Sequence, residues 1–125
     1  MRLLLAASAL LLAAAPGTAG QRRDTVPEAT PAGKPVSCLR LTDVRESIVR
    51  DGQTIDFVTR GGKVYRNTLD GGKCPGLDFE RRFLHKTSTG DLCSVDIITV
   101  LNAPGIQPGA SCGLGPFQPV TLAKK

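Results

Sequence analysis

The sequence predicts an all-β domain, a small antiparallel barrel or sandwich of five to six short strands stapled by two disulfides. Three observations carry this. Strand-type alternation recurs at short intervals between Gly-rich turns. Residues 92–101 form the longest β-branched run, with five of ten positions Val, Ile or Thr, types suited to a pleated, half-buried surface. Four cysteines, an even number at wide spacing, follow an export-type N-terminus and read as a disulfide framework. Roughly 85 residues, 37–122, can bury only a modest core, so cross-links matter to the domain.

Residues 1–19 read as a signal peptide. Met1-Arg2 supplies the positive start, a Leu/Ala run to Ala15 the apolar stretch, and Gly17-Thr18-Ala19 the small residues of a cleavage site. The run is shorter than the ~20 residues of a membrane-spanning helix. No cysteine follows closely enough to carry a lipid. The expected product is periplasmic or secreted, with no stable membrane insertion after cleavage near Ala19. Residues 20–36 hold Pro27, Pro31 and Pro35 without an apolar period and are expected to be a disordered linker.

The domain is expected over residues 37–122. Residues 38–41 form an extended piece with Leu39 and Leu41 on one face. Residues 44–50 make a strand that turns back at Asp51-Gly52, a hairpin signal. In residues 54–60, Ile55, Phe57 and Thr59 share one face; Thr54, Asp56 and Arg60 share the other, with Val58 as the exception. Gly61-Gly62 turns the chain into residues 63–69, where Tyr65, Asn67 and Leu69 align. After the turn-rich Cys74-Pro75-Gly76, residues 79–86 are expected as a fourth strand with Phe79 and Phe83 in the core. A hairpin through Gly90-Asp91 then leads to the central strand, 92–101. Residues 102–119 carry four Pro and four Gly, too many for a regular element, and residues 120–122 close the domain.

The charge excludes one function class. The chain has 16 basic and 11 acidic side chains, a net +5; loss of Arg2 with the signal peptide lowers this by one. The basic residues are scattered and aromatics are few, whereas nucleic-acid binding asks for a basic stripe with aromatics beside it. No nucleic acid is expected as a partner.

Cys38, Cys74, Cys93 and Cys112 have no close C-x-x-C pair of the kind zinc prefers. Of the three possible pairings, Cys74–Cys93 and Cys38–Cys112 are expected. The first would tie the arms of one hairpin, and the second would clip the domain's start to its end.

Several stretches together carry a resemblance: Cys38-Leu39 with Val44-Arg45, residues 64–69, Cys74-Pro75-Gly76-Leu77, Leu92-Cys93-Ser94-Val95-Asp96, and Cys112-Gly113-Leu114-Gly115. They resemble a bacterial family of small exported proteins, some of them lipoproteins, that is a domain of unknown function. The resemblance covers roughly residues 37–118. It implies the domain limits and the cysteine framework, and brings no activity, substrate or catalytic residue.

Catalytic kits are scarce. His85 is the only histidine and has no nearby Ser or Cys motif for a nucleophilic triad. Asp56, Asp78, Glu80 and Asp96 would supply carboxylate pairs, as the acids of most proteins do. No cofactor or metal site is expected, because acids at calcium-loop spacing and phosphate loops are both missing. Asp96 interrupts the most strand-like run, on the face of Ile98 and Val100. Its expected role is structural, paired with Arg45, Arg66 or nearby backbone amides. Arg45, Arg66, Asn67, Arg81 and Arg82 are the candidates for recognition of an anionic partner. The expected function is a non-catalytic binding or interaction module whose partner is an unknown protein or envelope component. A small inhibitor of a hydrolase presenting residues 102–119 as a rigid loop is the alternative, and an enzyme ranks third.

Overall fold

The computed structural model describes residues 26–87 and 89–123; the expected signal peptide and residues 20–25 of the expected linker lie outside them. Ten strands run in chain order. They are β1 (Ala29–Pro31), β2 (Cys38–Arg40), β3 (Val44–Val49), β4 (Thr54–Thr59), β5 (Val64–Thr68), β6 (Phe83–His85), β7 (Asp91–Cys93), β8 (Ile97–Asn102), β9 (Gln107–Gly113) and β10 (Phe117–Leu122). One helical turn, α1 (Leu77–Glu80), precedes β6. The paired strands are antiparallel, as expected, and fall into three sheets ordered β1-β10-β5-β4-β3, β6-β8-β9 and β2-β7.

The meander β3-β4-β5 follows from its turns. Asp51 Oδ1 accepts from the Gln53 amide at 2.8 Å, closing the first turn. Gly62, at φ +86°, occupies the left-handed position of the second. Those turns set the register Ile55↔Asn67, Asp56↔Arg66 and Phe57↔Tyr65. The inward face of this sheet supplies Val49, Ile55, Phe57, Leu69 and Phe117; β6 and β8 supply Phe83, Ile98 and Val100, and β2-β7 adds Leu39 and Leu92. Phe57 stands edge-on to both Phe117 (5.5 Å) and Phe83 (6.4 Å), joining the two larger sheets through one ring.

Five expectations are corrected here. The segment 26–36, expected as unstructured, carries β1, which pairs with β10 in the register Ala29↔Leu122. The prolines deny β1 only amides, and β10 supplies its partners. Residues 79–86 are not one strand: the Leu77 amide bonds the Cys74 carbonyl, α1 forms, and Arg81 at φ +55° ends it. Leu77 takes the core position, and Phe79 is 85% exposed. The run 92–101 is split into β7 and β8, which join different sheets. Residues 102–119 are no loop: β9 and the first half of β10 lie in them, because a bulge between Thr99 and Leu101 on the β8–β9 ladder accommodates Pro108 and Gly109 near its end.

The fifth is the cysteine pairing. All four are in disulfides, but as Cys38–Cys93 and Cys74–Cys112. Cys38 and Cys93 lie directly opposite on β2 and β7, and Cys112 faces inward from β9 toward the buried Cys74. The pairing follows from strand neighbours, which spacing along the chain does not reveal.

Candidate functional site

On the outer face of the five-stranded sheet, Asp56 of β4 is fully buried between two arginines. Arg66 lies directly across from it on β5 and grips it with a fork: Nε donates to Oδ1 at 2.8 Å and Nη2 to Oδ2 at 3.0 Å. Arg50, at the end of β3, donates from Nε to Oδ2 at 2.8 Å. A buried carboxylate costs several kcal/mol to desolvate and is tolerated when paired and hydrogen-bonded on this scale. The Arg66 and Arg50 side chains are only 15% and 18% exposed.

Arg66 also ties down the N-terminal arm, its Nη1 donating to the Pro27 carbonyl at 3.0 Å. A guanidinium has five N–H donors; three are committed here and two are left. Beside it lies an open groove of about 270 Å³, lined by Pro35, Arg66, Thr68, Pro116 and Gln118. Gln118 sits opposite Arg66 on β10, and its amide donates to the carbonyls of Gly33 and Pro119. The groove therefore has two proline walls and a polar floor with a fixed cation in it. Such a site can hold an anionic group with an apolar flank.

The sequence candidates scatter. Only Arg66 lines the groove. Asn67 is buried on the opposite face, where its side-chain amide pairs with the Gly115 backbone: Nδ2 donates to the carbonyl at 2.6 Å and Oδ1 accepts from the amide at 2.8 Å. Arg45 is exposed and meets Glu46 at 3.6 Å. Arg81 Nη1 bonds the Val49 carbonyl, closing α1 onto β3, and Arg82 bonds the carbonyls of Leu101 and Gly105. Convergence of these side chains on one partner is not what the fold provides.

Of the partners expected for Asp96, the structure gives it a backbone amide. It lies in the turn between β7 and β8, where Oδ2 accepts from the Cys93 amide at 2.7 Å and its own amide donates to the Cys93 carbonyl at 2.9 Å. Arg66, expected as a possible partner, is held by Asp56 instead, and Arg45 by Glu46. The turn removes Asp96 from the strand face it was expected to share with Ile98 and Val100.

Sequence reasoning passed over Arg50, Gln118 and the pairing of Asp56. Hairpin arithmetic would have found the last: the turn at Gly61-Gly62 makes position numbers of β4 and β5 partners sum to a constant, and Asp56 falls opposite Arg66. The groove had no such signal, because Pro35 and Pro116 come to it from distant parts of the chain. Compared with protein-family models, curated proteins and solved structures, the chain finds no match. Among the described residues no helix is long and apolar enough to cross a membrane.

Proposed function

We propose that this chain is an exported, non-catalytic binding module of the cell envelope that takes an anionic group of its partner at Arg66. The observation that carries this is the guanidinium itself, fixed by Asp56 and Pro27 at the edge of the groove with two N–H donors to spare. Preorganisation of this kind lowers the entropic cost of binding. The signal-type N-terminus, the two disulfides and the resemblance to small exported proteins support export. The acids support a non-catalytic reading, since Asp56 is committed to two arginines, Asp96 to the Cys93 amide and Glu80 to the Ala103 amide.

Titration of the isotope-labelled protein with acetate and inorganic phosphate as minimal anionic probes tests the reading. Amide resonances of Thr68 and Gln118 and the Arg66 Nε–H should move together. Thr68→Trp, an exposed substitution that fills the groove, should abolish the shifts while leaving the rest of the spectrum in place. Shifts of equal size in the Trp variant, or none at the groove in the wild type, would sink the proposal.

A further inference from the structure

The three-stranded sheet turns one face to the core and the other to solvent. Phe83, Ile98 and Val100 point inward, so Leu84 on β6 and Ile97, Thr99 and Leu101 on β8 point outward, with Ser111 of β9 opposite Thr99. Leu84 is 45% exposed and Ile97 52%; Val95, in the turn before β8, is 87% exposed, and Ile106, in the turn after it, 72%. With Phe79 in α1, just upstream of β6, they make up five of the seven exposed large hydrophobic residues among those described. Leu84 and Ile97 share the outward face, and Val95, Ile106 and Phe79 lie exposed in the segments that border its strands; exposed apolar side chains grouped in this way mark a surface that is covered in use.

Charge says by what. Arg82 and Lys86 flank β6, both exposed and both at outward positions of its alternation. None of β6, β8 and β9 contains an acid. The acids at the sheet's ends, Glu80 and Asp96, each have a carboxylate oxygen on a backbone amide, of Ala103 and Cys93. A second copy of the same face would set exposed cations against exposed cations, with its acids half-buried at the sheet's ends. A surface of anionic headgroups over an apolar interior answers both the charge and the hydrophobic side chains.

We propose that this face docks on an anionic phospholipid membrane, with Leu84, Val95, Ile97 and Ile106 at the headgroup–acyl boundary and Arg82 and Lys86 against phosphates. The surface belongs to the other sheet from the Arg66 groove and does not depend on it.

Vesicle co-sedimentation tests this with the processed protein from an exporting host, its first residue established by mass spectrometry and the same for every variant. The protein should pellet with vesicles of phosphatidylglycerol and phosphatidylethanolamine and stay in solution with phosphatidylcholine alone. Added salt should weaken the binding. The double variant Leu84→Ser, Ile97→Ser should lower the partition about tenfold or more through lost apolar burial, and Lys86→Glu should lower it severalfold, with circular dichroism unchanged in both. Thr68→Trp should bind vesicles like the wild type, which separates this inference from the groove. Equal pelleting of the double variant, or equal binding to phosphatidylcholine, would overturn the proposal. So would a dimer in sedimentation equilibrium that the double variant abolishes, since the face would then belong to a second copy.

Discussion

Asp56 and Asp96 show two ways a carboxylate is accommodated in a small β domain. Asp56 is desolvated completely and answered by two guanidinium groups, so removing its charge takes the carboxylate away from both. Asp56→Asn is expected to cost about 3–5 kcal/mol, the scale of breaking a buried ion pair from one side, measured by urea denaturation. Replacing Asp56, Arg50 and Arg66 together with apolar residues should cost less than the single change, because neither guanidinium is then left beside a missing carboxylate. Asp96 sits half-buried in a turn and accepts one backbone hydrogen bond. Asp96→Asn keeps an acceptor there and is expected to lose about 0.5–1.5 kcal/mol, whereas Asp96→Ala orphans the Cys93 amide and should lose about 1–3 kcal/mol. Thermal melts of the pair check the order; equal losses would mean that the hydrogen bond is not what matters at this position. That Asp96 interrupts a β-branched run was legible in the sequence, and a backbone amide was among the partners expected for it. Asp56 was legible only as an outward-facing residue of its strand, because the identity of its partners depends on hairpin register.

At the scale of elements, the disulfides divide the work. Cys38–Cys93 joins the two strands of the smallest sheet, and Cys74–Cys112 joins the loop before α1 to β9. Their sequence separations are 55 and 38, so chain entropy assigns each about 4 kcal/mol, with the longer loop slightly ahead. Burial reverses that order. Cys74 is 2% exposed and belongs to the main core, whereas Cys38 is exposed. The double variant Cys74→Ser, Cys112→Ser is therefore expected to be less stable than Cys38→Ser, Cys93→Ser by about 1–3 kcal/mol, since it also buries an unsatisfied hydroxyl. Denaturant midpoints of the two variants measure this. Non-reducing peptide mapping should recover Cys38 with Cys93 and Cys74 with Cys112; a Cys74–Cys93 peptide would contradict the fold. The existence of a disulfide framework was readable from an even count in an export-type chain. The connectivity was not, because β2 and β7 are brought together by a sheet that neither segment announces.

For the molecule as a whole, the three sheets share one hydrophobic cluster, and Phe57 is its hinge. It is 2% exposed and contacts Phe117 in its own sheet and Phe83 in the facing one. Phe57→Ala is expected to cost about 3–5 kcal/mol. Unfolding should remain a single transition, with far- and near-ultraviolet circular dichroism coincident, because no sheet has a core of its own. Separate transitions would show that the β6-β8-β9 sheet holds together without the other.

What the sequence determined by itself was local. Period-two alternation, Gly-rich turns and β-branched runs specified antiparallel strands and the β3-β4-β5 meander, since each depends on neighbours a few residues apart. Tertiary structure decided what depends on distant partners. It broke residues 92–101 at Asp96 because the two halves join different sheets, and recruited residues 29–31 as a strand because β10 offered an edge. It made β9 and β10 from a segment rich in Pro and Gly because their cross-strand partners were already in place. The groove at Arg66 belongs to the same class. Its walls, Pro35 and Pro116, are 81 positions apart in the chain, and they meet because the last strand is laid between the first and the fifth, a pairing no local pattern encodes.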